Sequence, residues 1–123
     1  MIAALSLFVA TTFGAYASHG LAAMLDAPSL RSFQTAVDFQ FYHSLGLLGV
    51  ALIADRAAAP KAFHIAAYAL VVGVVLFSGS IYAGAFGAPD FIGLAAPVGG
   101  GCLIGAWLIC AYAAWRNHSG MLG

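Results

Sequence analysis

Charge is what this sequence has least of. Of 123 residues, four are Lys or Arg and four are Asp or Glu, so charged side chains make up 7% of the chain, against roughly 25% in soluble domains. With 63% apolar residues and a mean hydropathy of +1.00, the chain cannot clothe a soluble surface and belongs in a bilayer. The formal net charge is +0, so no basic field invites nucleic acid. No Asp, Glu, Lys or Arg stands midway along an apolar run. That removes the membrane carboxylate on which small proton-coupled exporters depend. Cysteine is scarce too: Cys102 and Cys110 fall in one apolar run, about 12 Å apart along a helix, too far to pair. They read as small packing residues, and without a Cys-x-x-Cys motif a thiol oxidoreductase is disfavoured. No nucleophile motif appears, and no third Cys or Glu ligand accompanies the histidines as a tetrahedral zinc site requires. The residues lean away from an enzyme and from a metal.

What is present is apolar length. Four segments, about 2–25, 29–54, 61–86 and 91–116, can each cross roughly 30 Å of hydrocarbon. The first resembles a secretory leader, since Ala15-Tyr16-Ala17 precedes Ser18. Its start lacks Lys and Arg, however, so it reads as a retained transmembrane helix. The second is uncharged only from Phe39. Its outer end, capped by Asp26 with Pro28 in the first turn, reads either as an interfacial amphipathic turn with Leu30, Phe33, Val37 and Phe41 on one stripe, or as the end of a long tilted helix. Gly87-Ala88-Pro89-Asp90 is a turn, residues 55–61 form the most polar loop, and the tail to Gly123 is expected to fray. The chain is therefore one all-α domain, 1–123, a four-helix transmembrane bundle with up-and-down antiparallel helices. Arg56, Lys61 and Arg116 fall on one side and Arg31 on the other. The positive-inside rule then places the N and C termini in the cytoplasm.

This topology gathers the polar residues. His19, Gln40, His43, Ser78, Ser80 and Tyr82 fall in the outer half of the bilayer, with Pro97, Gly99 and Gly100 at the outer start of the fourth helix. The inner half is almost wholly Ala, Val, Leu and Ile. Gln40 and His43 share a helix face, as do Ser78 and Tyr82, and the two faces can meet. Such a cluster is either interhelical glue or a shallow site for a headgroup, a quinone or a partner helix. Small-residue pairs at Gly14/Ser18, Gly79/Ala83/Gly87 and Gly101/Gly105 permit close packing. Gly99-Gly100-Gly101 after Pro97 is expected to loosen the start of the fourth helix, Trp107 to pack and Trp115 to anchor at the interface. His64 and His118 lie near the inner boundary, away from the cluster.

Three stretches carry a family resemblance. Gly14-Ala15-Tyr16-Ala17-Ser18-His19-Gly20-Leu21, then Thr35-Ala36-Val37-Asp38-Phe39-Gln40-Phe41-Tyr42-His43-Ser44-Leu45, then Phe77-Ser78-Gly79-Ser80-Ile81-Tyr82 with Ala96-Pro97-Val98-Gly99-Gly100 and Gly105-Ala106-Trp107, together resemble the YgdD-like family. This is domain of unknown function 423, related to the eukaryotic transmembrane protein 256. The chain departs from its pattern at Ala17, Ser18 and Asp38-Phe39. The resemblance implies a small multi-pass protein of the bacterial inner (plasma) membrane and transfers no catalytic residue. The leading expectation is a non-enzymatic accessory subunit or a lipid- or ligand-binding module, with the bilayer, a second copy or a larger membrane complex as partner. Two alternatives stay open: a redox protein or enzyme using His19, His43 and Tyr82 on a lipid-phase substrate, and a homo-oligomeric transporter or channel subunit. No cofactor is expected, with quinone, lipid and haem left open.

Overall fold

The computed structural model describes residues 1–57 and 60–119. The loop residues Ala58 and Ala59 and the tail from Gly120 to Gly123 lie outside it. Four long helices follow one another: α1 (Ile2–His19), α2 (Ala27–Ala54), α3 (Pro60–Ala85) and α4 (Ala95–Ser119). Single 3-10 turns at Leu21–Ala23 and Asp90–Leu94 precede α2 and α4. Among the described residues all four helices are long and apolar enough to cross a membrane. Successive helices pack against each other, α3 and α4 most extensively.

The helix ends follow local chemistry. Asp26 caps α2 by accepting from the Ser29 amide at 2.8 Å, and Pro28 occupies the first turn, where a missing N–H costs nothing. From there α2 runs unbroken for 28 residues, so its N-terminal end is the start of one long helix. Leu30, Phe33 and Val37 turn inward as the stripe requires, but Phe41 is exposed. Helix α3 closes with Gly87 at φ 87°, the Ala88 amide donating to Ala83 O and the Gly87 amide to Gly84 O. That is a Schellman cap, so Gly87 is a turn residue rather than part of a packing stripe. Helix α1 stops at His19, earlier than its apolar length suggests, because the chain bends to bury Leu21 (1% exposed) in the core.

The start of α4 differs from expectation. Pro97 and Gly99-Gly100-Gly101 are continuous helix. Pro97 falls in the first turn, and Gly99 is held by neighbours rather than loosening anything. A Cβ on Gly99 would strike the Phe77 amide nitrogen and come within 2.9 Å of Gly73 O. Gly73 is equally tight against Leu103, so this glycine pair sets the spacing of α3 and α4. Gly79, Gly101 and Gly105 meet nothing within 4 Å; those small residues face outward.

The interior divides into two apolar clusters. One joins Ala3, Leu47, Val50, Phe63, Leu70, Leu103 and Ala106. The other joins Ala17, Leu21, Phe33, Ala36, Val37 and Tyr82, with Phe13 against the Tyr82 ring, centroids 4.7 Å apart. Outside, Leu5, Phe8, Leu52, Ile65, Tyr68, Val75, Ile104 and Leu108 are all exposed. An apolar exterior of this extent is the face a protein turns to lipid.

Candidate functional site

Between the two apolar clusters lies a polar seam. Gln40, midway along α2, is 5% exposed and acts as its hub. Its Nε2 donates to Ser6 O at 3.1 Å and to Ser6 Oγ at 3.2 Å. Its Oε1 accepts from the Tyr82 hydroxyl at 2.8 Å. Ser44 Oγ donates to Ser6 Oγ at 2.6 Å. One amide thus links α1, α2 and α3. The geometry follows from helix chirality: side chains lean toward the N-terminus of their own helix. In antiparallel α2 and α3 this aims Gln40 and Tyr82 at each other. Ser78 spans the same interface one step away, donating to Ala36 O at 2.8 Å. Among the described residues no buried side-chain nitrogen or oxygen is left without a partner.

The other candidate residues go elsewhere. Ser80 is buried but bonds the Phe77 carbonyl of its own helix at 3.0 Å. His19 is exposed at the end of α1, and Pro97 is exposed while Gly99 and Gly100 serve the α3–α4 contact. Among the described residues His43 makes no interhelical hydrogen bond. Its Nδ1 lies 2.7 Å from the Phe39 carbonyl one turn earlier, its ring stacks on Phe39 at 5.5 Å, and Trp107 of α4 approaches to 6.2 Å. Trp107 itself packs over Gly46, where a Cβ would come within 2.6 Å of the indole. Trp115 is exposed near the end of α4.

Two seam residues, Ser6 and Ser44, are absent from the sequence-derived cluster. Ser6 lies in the first half of α1, so the polar groups are not confined to one half of the bundle. Its signal was its place among Ala3, Ala10 and Ala17, the buried face of α1. Ser44 stands one turn after Gln40, on the same face.

Beside the seam, α1 and α3 part over α2. A crevice of about 90 Å³ lies there, lined by Ser6, His43, Ser44, Leu70 and Val74, with exposed Ile2 and Val75 at its rim. A larger, mostly apolar groove of about 340 Å³ shares Ile2, Leu47 and Val71 with it and extends to Met1, Ala51 and Tyr68. The two adjoin along the three helices, and the walls of both are chiefly apolar, with Ser6, His43 and Ser44 beside the smaller one. Among the described residues no group of three or more His, Cys, Asp or Glu could hold a metal ion.

Four apolar spans around a buried, internally bonded polar seam define a small multi-pass membrane protein. The chain belongs to the family described as "Protein of unknown function (DUF423)", whose profile matches residues 13–100. It is 36% identical to the UPF0382 membrane protein of Haemophilus influenzae, over 96% of this chain and 94% of that one. It is 32% identical to the UPF0382 membrane protein YwdK of Bacillus subtilis, over 93% of each. It is 31% identical to the UPF0382 inner membrane protein YgdD of Escherichia coli K12, over 94% of this chain and 88% of that one. The spans and these relatives place the chain in the inner membrane. No solved structure matches it.

Proposed function

We propose that this protein is a non-catalytic module that holds a lipid-phase ligand in the crevice between α1 and α3, beside His43. The observation behind this reading is how the polar groups divide their hydrogen bonds. Gln40, Ser6, Ser44, Ser78 and Tyr82 bond to one another or to backbone and serve as scaffold. Among the described residues His43 bonds only a carbonyl of its own helix, and it lines the crevice. A polar ring at that depth carries a solvation cost that no interhelical bond offsets; a bound ligand offsets it.

Acid–base chemistry through His19, His43 and Tyr82 is the weaker reading. Tyr82 donates its proton to Gln40, and His19 is exposed at the far end of α1. In this proposal both termini face the cytoplasm, on the side of Arg56, Lys61 and Arg116.

The test is native mass spectrometry of protein taken from its own membrane in polymer discs, beside a Val75→Trp variant. Val75 is exposed at the crevice rim, so the indole obstructs the crevice without loading the core. A stoichiometric molecule on the wild type that is lost from the variant supports the reading. Wild-type protein that flies bare, or a variant that keeps the molecule, overturns it.

A further inference from the structure

The geometry points to a ligand that accepts a hydrogen bond: an apolar molecule carrying a carbonyl group, met by the Ser6–Ser44 hydroxyl pair. The inference rests on the crevice reading above and narrows it to a chemical class. It follows from counting protons along the seam. The Gln40 amide directs both of its protons at Ser6, Nε2 donating to Ser6 O and to Ser6 Oγ. The two serines bring one hydroxyl proton each, and one of these fills the 2.6 Å bond between their oxygens. The other has no acceptor among the described residues. Every buried atom of the seam has a partner; what is left over is a proton. Thr11, Thr12, Ser18 and Ser32 place theirs on the carbonyl four residues back, whereas Ser6 and Ser44 turn toward each other. With Ser44 as the donor, Ser6 Oγ already holds its own carbon, the Gln40 proton and the Ser44 proton, so its proton takes the remaining tetrahedral direction. With Ser6 as the donor, Ser44 keeps the spare proton, and the count is the same. Ser44 is 2% exposed, out of reach of bulk water, and a buried donor left unmet is costly. Both serines line the crevice between α1 and α3, which is the open space beside them.

The apolar walls say what carries the acceptor. Leu47, Leu70, Val71 and Val74 surround the pair. A buried water is held by about two to four polar partners, and these side chains offer it none. A carbonyl takes the spare proton and brings none that needs an acceptor in turn, while the carbons attached to it match the walls. The crevice, about 90 Å³, fits a carbonyl and the few carbons that bear it. The adjoining groove of about 340 Å³ is chiefly apolar and fits the rest of the molecule. Two membrane sources share this chemistry, a quinone and an acyl ester.

The test uses the whole protein in lipid nanodiscs with two pairs of probes, decylbenzoquinone with decylbenzene and methyl palmitate with octadecane. Contacts between probe protons and the Leu47 and Val74 methyls report occupancy, with affinities referred to the probe concentration in the bilayer. Isotope-edited infrared spectra of carbonyl-labelled probes report the hydrogen bond. The inference expects a carbonyl probe to occupy the crevice, to show a carbonyl stretch at lower frequency than in protein-free bilayer, and to bind about fivefold tighter than its partner lacking the acceptor. The double variant Ser6→Ala/Ser44→Ala abolishes both the shift and the preference; both serines are changed because either one alone still has a proton to give. Gln40 keeps its bond to Ser6 O in that variant, and the wild-type infrared shift is read without any substitution. Preference in the quinone pair alone identifies a quinone, and in the ester pair alone an acyl ester. A shift that survives in the double variant overturns the assignment to the serine pair. If both members of each pair occupy the crevice equally and the carbonyl stretch does not move, the acceptor rule is wrong and the crevice reading stands. If no probe touches Leu47 or Val74, both fall.

Discussion

The Tyr82 hydroxyl donates to Gln40 Oε1 at 2.8 Å, and the nitrogen of the same amide donates to Ser6, so a single side chain ties three helices at mid-depth. Removing the hydroxyl leaves Gln40 Oε1 buried with no donor. Tyr82→Phe is therefore expected to destabilise the bundle by about 1–2 kcal/mol. In a double-mutant cycle with Gln40→Leu the pair is expected to couple by about 0.6–1.7 kcal/mol. Unfolding in mixed micelles or by steric trapping measures both, and strictly additive mutants would mean that the bond contributes nothing.

Gly99 and Gly101 are two residues apart and predict opposite outcomes. A methyl group on Gly99 meets α3 backbone, with Gly73 O and the Leu76 carbonyl carbon both at 2.9 Å, whereas one on Gly101 meets nothing within 4 Å. Backbone cannot rotate aside as a side chain can. Gly99→Ala is expected to cost about 1–3 kcal/mol through separation of α3 and α4. Gly101→Ala is expected to be neutral or stabilising by up to about 1 kcal/mol, because it removes helix-interior glycine entropy. Equal effects at both positions would refute the close-approach assignment.

How much of this could be read from the sequence depended on whether the information was local. The four spans, the Asp26 cap and the Gly87 turn follow from hydropathy and turn chemistry within a few residues, and the structure has all of them. The meeting of the Gln40 and Tyr82 faces was legible too, since each face is set by helical period. The fate of individual hydroxyls and rings was not. Thr11, Thr12, Ser18 and Ser32 all bond the carbonyl four residues back, and so does His43. Ser6 and Ser44 look no different in sequence yet reach across helices. Which choice a short polar side chain makes depends on whether another helix is close enough to offer a partner, a tertiary fact with no local trace. Likewise Gly99 reads as a helix breaker alone and becomes a helix contact only once Gly73 and Phe77 lie against it.

The cap at Asp26 titrates. Hydrogen bonds from Ser29 hold its carboxyl below its ordinary value of 3.8. A carboxylate whose folded pKa is depressed adds stability above its unfolded pKa and loses it as pH falls through the folded value. The start of α2 is thus expected to be intact above about pH 4 and to fray in more acidic solution. The Ser29 amide resonance is the reporter, and its acid midpoint should lie below that of an unstructured Asp peptide. Asp26→Asn keeps an acceptor at the cap and should erase the transition; a transition that persists in the variant would have another origin.

Orientation is open to direct chemistry. If both termini lie on the cytoplasmic side, as proposed, a cysteine introduced by His118→Cys should react with a membrane-impermeant maleimide only after the membrane is opened. An Arg31→Cys variant, at the opposite end of the bundle, should react in intact cells. Cys102 and Cys110 lie within α4 and are replaced by Ala in both variants to give a clean background. Reversed labelling would invert the topology.

His43 separates a packing role from a binding role. Were it an interhelical strut, its loss would weaken the bundle much as Tyr82→Phe does. Its hydrogen bond is instead internal to α2, and what it shares with other side chains is ring contact with Phe39 and Trp107. Phenylalanine reproduces a flat ring of similar size. His43→Phe is therefore expected to change stability by less than about 0.5 kcal/mol, while the molecule retained by the wild type in native mass spectra is lost. His43→Ala removes the ring contacts as well and should cost about 1 kcal/mol. If His43→Phe destabilised the bundle by as much as Tyr82→Phe, the imidazole would be structural, and the crevice would lose the group proposed to hold its ligand.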